Sequence, residues 1–97
     1  MVRFEWNPEK ARQNLKKHGV SFDEAVTVFY DPLSATFGDP DHSQGEQRLI
    51  TVGFSSQRRL LVVAHTERGN AFRIINARLA TAHERKKHES QEETDCG

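Results

Sequence analysis

"RLLVVAHTERGNAFRIINARL", residues 59–79, reads as two β-strands joined by a hairpin-length link, and that reading decides the fold. The first half is an apolar run rich in β-branched residues, the second half repeats the pattern, and "RGN" between them offers Gly69 and Asn70 for positive φ. Two adjacent strands this close must lie antiparallel. Working upstream, "QRLITVGF" (47–54) alternates with a period of two and the "SSQR" link to residue 59 is again hairpin-length, so the same meander gains a strand. "LSATF" (33–37) adds another, separated by the polar, turn-rich loop "FGDPDHSQGE" (37–46).

Further upstream the period changes. After a short opening strand, "VRFEW", Asn7 has the character of a helix N-cap with Pro8 at the first helical position, and Gly19 is placed to stop that helix. Leu15 and Val20 have the spacing of the apolar contact in a Schellman cap. "SFDE" (21–24) is a capping box that opens a second helix, whose apolar residues Phe22, Ala25, Val26 and Phe29 form one stripe until "YDP" (30–32) ends it. Downstream of the meander, "TAHE" (81–84) is another capping box, starting a third helix through about His88. The order of elements predicts an α+β sandwich: two N-terminal helices on one face of an antiparallel sheet, a C-terminal helix, and the other sheet face left open. One domain over residues 1–89 accounts for the length, and residues 90–97 are expected to be an acidic, disordered tail.

The formal charge of zero hides a sorting of charges along the chain. Residues 1–45 carry −2 and residues 89–97 carry −4, while residues 46–88 hold nine Lys and Arg against three acids, or +6. A basic meander in a neutral chain points to an anionic partner met by one surface. The single cysteine, Cys96, allows no internal disulfide and no stretch is apolar enough to span a membrane, so a cytoplasmic protein is expected. "HERKKH" (83–88) is not a zinc HExxH motif, because Lys87 occupies the second ligand position; no metal and no cofactor are expected.

The residues with chemical potential are the arginines on or near strands, Arg48, Arg68, Arg73 and Arg78, with Glu46, His42 and His65 near them in the pattern. Guanidinium groups match phosphate bidentately. Strict alternation places Arg48 with Ile50 and Val52, but gives Arg73 and Arg78 opposite parity, so these two converge only through a bulge or the end of the strand. His65 and His42 are more often structural than catalytic, and Phe4 and Trp6 read as core residues.

"FEWNPEKARQNLKKHGVSFDEAVTVFYDP", "DHSQGEQRLITVG" and "RLLVVAHTERGNAFRIINARLATAHERKKHE" resemble successive blocks of the BrnT toxins of bacterial type II toxin–antitoxin modules, over about residues 3–89. The resemblance implies a RelE-like fold with an exposed sheet face serving RNA. It implies a metal-independent endoribonuclease that inhibits translation, neutralised by a BrnA-type antitoxin through which alone the complex contacts DNA. The positions matching the family's blocks are His42, Glu46, Arg48, Arg68, Arg73 and Arg78. On this basis the catalytic candidates are Glu46 as base, the four arginines as phosphate ligands, and His88, which stands where family members commonly carry a tyrosine; His42, His65, Arg85 and Lys86 are the RNA-binding candidates. The alternative is a catalytically inert module that only binds the antitoxin and acts as co-repressor.

Overall fold

A computed structural model describes residues 2–39 and 47–96, with side chains described as far as Ser90. Along these residues run β1 (Arg3–Glu5), α1 (Pro8–His18), α2 (Phe22–Thr27), a 3₁₀ turn (Val28–Tyr30), β2 (Ala35–Gly38), β3 (Arg48–Phe54), β4 (Leu60–Arg68), β5 (Ala71–Leu79) and α3 (Ala82–Cys96). The order matches the α+β expectation. Helix α3 passes the expected end at His88 and continues to Cys96, across the segment predicted to be disordered. Between His88 and Cys96 there is neither proline nor glycine to stop it.

The helix ends follow local chemistry. Asn7 Oδ1 accepts the N–H groups of Glu9 (2.8 Å) and Lys10 (3.2 Å), with Pro8 beside it at the start of α1. At the other end Gly19 takes φ 70° and donates its N–H to the Leu15 carbonyl at 2.9 Å. That single bond is the simple αL cap rather than the Schellman arrangement the spacing suggested; Val20 is fully buried while Leu15 is 52% exposed. The α2 capping box is half formed: Ser21 Oγ accepts the Glu24 N–H at 3.0 Å, but the Glu24 carboxylate is held by Arg59 and by the Ser55 hydroxyl. The α3 box is complete, with Thr81 N–H donating to Glu84 Oε1 (2.9 Å) and Glu84 N–H donating to Thr81 Oγ1 (3.2 Å).

The sheet order is β1-β5-β4-β3-β2. Strands β2 to β5 form the expected antiparallel meander, but β1 joins β5 in parallel, Arg3 opposite Ala71 and Glu5 opposite Arg73, so the sheet is mixed and not wholly antiparallel. The physical reason is the path between β1 and β2, which uses two helices to cross from one sheet edge to the other, a link long enough to free strand direction from hairpin geometry. The β3–β4 turn places Arg58 at φ 62°, and the β4–β5 turn has Gly69 alone at positive φ (61°), the pattern of a type II′ turn.

Alternation assigns the two faces. Leu61, Val63, Ile74 and Ala77 meet Val20, Phe22, Ala25 and Val28 in the core, with Phe4, Trp6 and Phe29 packed around it as expected. The 3₁₀ turn and the loop before β2 come so close over β3 that a Cβ on Gly53 would lie 2.8 Å from Ser34 Cβ and 3.0 Å from Val28 Cγ1. Asn14 fixes α1 to β5: its amide donates to the carbonyls of Val20 (2.9 Å) and Ala77 (2.8 Å), and its oxygen accepts the Ala77 N–H (3.1 Å). It thereby occupies the β5 edge that the short β1 leaves unpaired.

Candidate functional site

The register carries an irregularity at one point. Ala64 pairs with Asn76 and His65 with Ile74, so Ile75 is an extra residue in β5. Such a bulge reverses the alternation beyond it. Before it Phe72 and Ile74 share a face with His65, and after it Ala77 and Leu79 share that face with Val63 and Leu61. The residues between them, Arg73, Asn76 and Arg78, are therefore all on the opposite, second face, paired with Thr66, Ala64 and Val62. The opposite parity of Arg73 and Arg78 in the sequence is resolved by this slip.

Arg48 joins them from β3, since it pairs with Thr66, and Arg68 follows Thr66 by two residues on the same face of β4. Arg48, Thr66 and Arg73 thus stand in one row across three strands, with about 10 Å between the outer Cα atoms, and Arg78 lies about 13 Å farther along β5. The four arginines share a face, but they form a trio around Thr66 and one outlier.

Their electrostatic circumstances differ. Arg73 Nη1 is 3.8 Å from Glu5 Oε1, a pair exposed on both sides and weakly coupled. Arg78 is held bidentately by Glu84 at 2.7 and 2.9 Å, and the hydrogen bonds from its guanidinium draw the Glu84 carboxyl down to about 2, helped by the Thr81 amide. The same interaction pushes Arg78 up. Arg48 Nε and Thr66 Oγ1 are buried and have no hydrogen-bond partner.

His65 and His88 are both buried. His65, expected near RNA, is 0% exposed on the helix face, with Phe29 and Phe72 at ring distances of 4.9 and 5.2 Å and Nε2 2.7 Å from Thr51 Oγ1. Burial lowers its pKa to about 4, so near neutral pH it is an uncharged core group out of reach of a surface ligand. His88 is 5% exposed and packs edge-on to Phe54, at 6.0 Å between ring centroids, while the Arg85 guanidinium lies 6.0 Å over the same ring. Lys86 is exposed on α3. His42 and Glu46 lie outside the described residues.

The second face was expected to be open. Instead Leu60, Val62, Ala64 and Thr66 of β4 are only 1–6% exposed, and α3 meets this face at the Phe54 and Arg78 end. Nothing in α3's composition advertised this, because it has no apolar stripe; its contact relies on His88, Arg85 and Glu84. Thr66 and Phe54 are the site residues that the sequence reading passed over. The parity shared by Thr66 and Arg68 was the available signal for the first. Among the described residues no group of three or more His, Cys, Asp and Glu side chains is arranged to hold a metal.

Three comparisons bear on identity. No curated protein matches the chain. A crystal structure of the Brucella abortus ribonuclease toxin, BrnT, shares the fold with a TM-score of 0.66 at 20% identity, covering 84% of this chain and 99% of that one. The family model for "Ribonuclease toxin, BrnT, of type II toxin-antitoxin system" matches residues 6–84, which takes in α1 and α2, the whole described meander and the Arg78–Glu84 pair. The chain therefore belongs to the BrnT family of ribonuclease toxins of type II toxin–antitoxin systems.

Proposed function

We propose that this toxin is a RelE-like, metal-independent endoribonuclease acting in the cytoplasm, that it inhibits translation, and that a BrnA-type antitoxin neutralises it and supplies the only contact with DNA. The observation that supports this most is the slip at Ile75, which aligns Arg73 and Arg78 with Arg48 and Arg68 on one sheet face. In the reaction the ribose 2′-oxygen attacks the adjacent phosphorus and the P–O5′ bond breaks, leaving a 2′,3′-cyclic phosphate and a 5′-OH. A base takes the 2′-proton, an acid returns one to O5′, and cations hold the added phosphorane charge. Glu46 is the candidate base, with Arg48, Arg68 and Arg73 as phosphate ligands; Arg78, Arg85 and Lys86 flank the RNA at the α3 end, where His88 is buried against Phe54.

The test is RNA cleavage by purified protein with end mapping, with and without EDTA. The expected result is cleavage that persists in EDTA, yields 5′-OH ends, and drops at least tenfold in Arg73→Ala and Glu46→Gln. The burial of the β4 row and the locking of Arg78 by Glu84 favour a second reading, an inert module that only binds antitoxin and co-represses. Absence of cleavage alongside tight antitoxin binding identifies that module.

A further inference from the structure

The structure assigns to Thr66, between Arg48 and Arg73, the role of a neutral hydrogen-bond donor in a phosphate-binding subsite. This deepens the nuclease reading and rests on it for the identity of the natural ligand. Two observations carry it independently of the charge pattern. Thr66 Oγ1 is buried without a hydrogen-bond partner in a residue only 6% exposed, and so is Nε of Arg48, the residue directly opposite Thr66 in the β3–β4 register. A folded protein rarely leaves two buried donors unsatisfied, and it does so most often where a ligand atom completes them. On the other side of Thr66 stands Arg73, also directly opposite in register, whose partner Glu5 is distant and exposed enough to be exchanged for an anion.

The row therefore presents a hydroxyl donor flanked by two guanidinium groups, all from strands. That set suits a tetrahedral oxyanion with two or more acceptor oxygens: a guanidinium takes an oxygen edge, and the hydroxyl donates to the oxygen facing the sheet. A carboxylate presents fewer oxygens and less charge. The ligand class is accordingly a phosphate group, and in the toxin's own chemistry a backbone phosphate of RNA. A threonine is suited to the central place because a third cation there would repel its neighbours, whereas a hydroxyl adds a donor without charge.

The test uses the full chain and inorganic phosphate as probe, titrated by NMR, in wild type, Thr66→Val, Thr66→Ser and Arg48→Lys, with RNA cleavage and thermal unfolding measured beside it. Thr66→Val is expected to weaken phosphate binding by about tenfold or more, since a hydrogen bond to a charged group is lost. Thr66→Ser should stay within about threefold of wild type, and Arg48→Lys should resemble Thr66→Val because it keeps the charge but loses the Nε donor. Because valine replaces an unsatisfied hydroxyl by a methyl group, Thr66→Val should unfold at the same or a higher temperature than wild type, which a merely structural threonine would not allow. Phosphate binding unchanged in Thr66→Val, or a lowered unfolding temperature, overturns the assignment. Cleavage by wild type with a Thr66-independent phosphate response sinks the subsite and spares the nuclease; Thr66-dependent phosphate binding without any cleavage does the reverse.

Discussion

His65 shows how a single residue sets a pH limit on this fold. Its ring is enclosed by Phe29 and Phe72 and shares a chain of short contacts with Thr51 and Thr36, each 2.7 Å long. With Nδ1 buried and without a partner, the tautomer carrying hydrogen on Nε2 is favoured, because an unused lone pair costs less than an orphaned N–H. The folded pKa, about 4, lies below the ordinary 6.5, so the unfolded chain binds the extra proton between these values. Stability is therefore fully present above pH 6.5 and lost as pH falls toward 4, by about 3 kcal/mol in total. Urea unfolding at pH 7, 5.5 and 4.5 checks this, and in His65→Phe most of the loss over that range should vanish. Arg58 is a second residue-scale case: it sits at φ 62° in the β3–β4 turn, a conformation that costs a non-glycine residue about 1 kcal/mol, and Arg58→Gly should raise the urea midpoint accordingly. Neither effect was readable beforehand. "AHTER" alternates like any strand, and "SSQR" offers no glycine to mark where the turn needs one.

Among the elements, α3 is the most conditional. Its capping box was legible in "TAHE", but its docking was not, because Glu84 serves both the Thr81 amide and the Arg78 guanidinium and only the fold brings Arg78 there. The Glu84 carboxyl is drawn down to about 2 from 4.5, so its contribution is complete above pH 4.5 and declines as pH falls toward 2, a window that begins where that of His65 is ending. Glu84→Gln should loosen both the cap and the ion pair, seen as faster amide exchange along residues 82–90 with the meander unaffected. At the opposite edge, Asn14 does for β5 what a longer β1 would do, satisfying both backbone groups of Ala77. Asn14→Leu should cost about 2–4 kcal/mol in urea unfolding, since it orphans a buried N–H and two carbonyls. In the sequence Asn14 looks like an ordinary helix residue. The parallel pairing of β1 was equally hidden, because three residues of alternating pattern carry no direction.

Across the whole molecule the meander and the two N-terminal helices were legible because each changes period at a capping residue, whereas the layout of charge on the finished surface depended on register. Even that had a trace: in "AFRIINARL" the apolar positions move from Phe72 and Ile74 to Ala77 and Leu79, a change of phase at Ile75 that strict counting overlooks. The trio of Arg48, Arg68 and Arg73 around Thr66 should make RNA affinity fall by about one to one and a half orders of magnitude between 50 and 200 mM salt, with the slope reduced by about one for each arginine replaced by alanine. Filter binding across that range checks it, and a flat response counts against phosphate contacts on this face. The slip at Ile75 also dictates which genetic changes the toxin tolerates. Replacing that codon, as in Ile75→Val, leaves the phase intact and should be nearly silent. Removing it lets Ile74 and Asn76 follow one another opposite His65 and Ala64 in an unbroken ladder, so Ala77 and Leu79 still face the helices, Arg78 stays on the second face, and an in-frame loss of three nucleotides at this point should leave the arginine face in place.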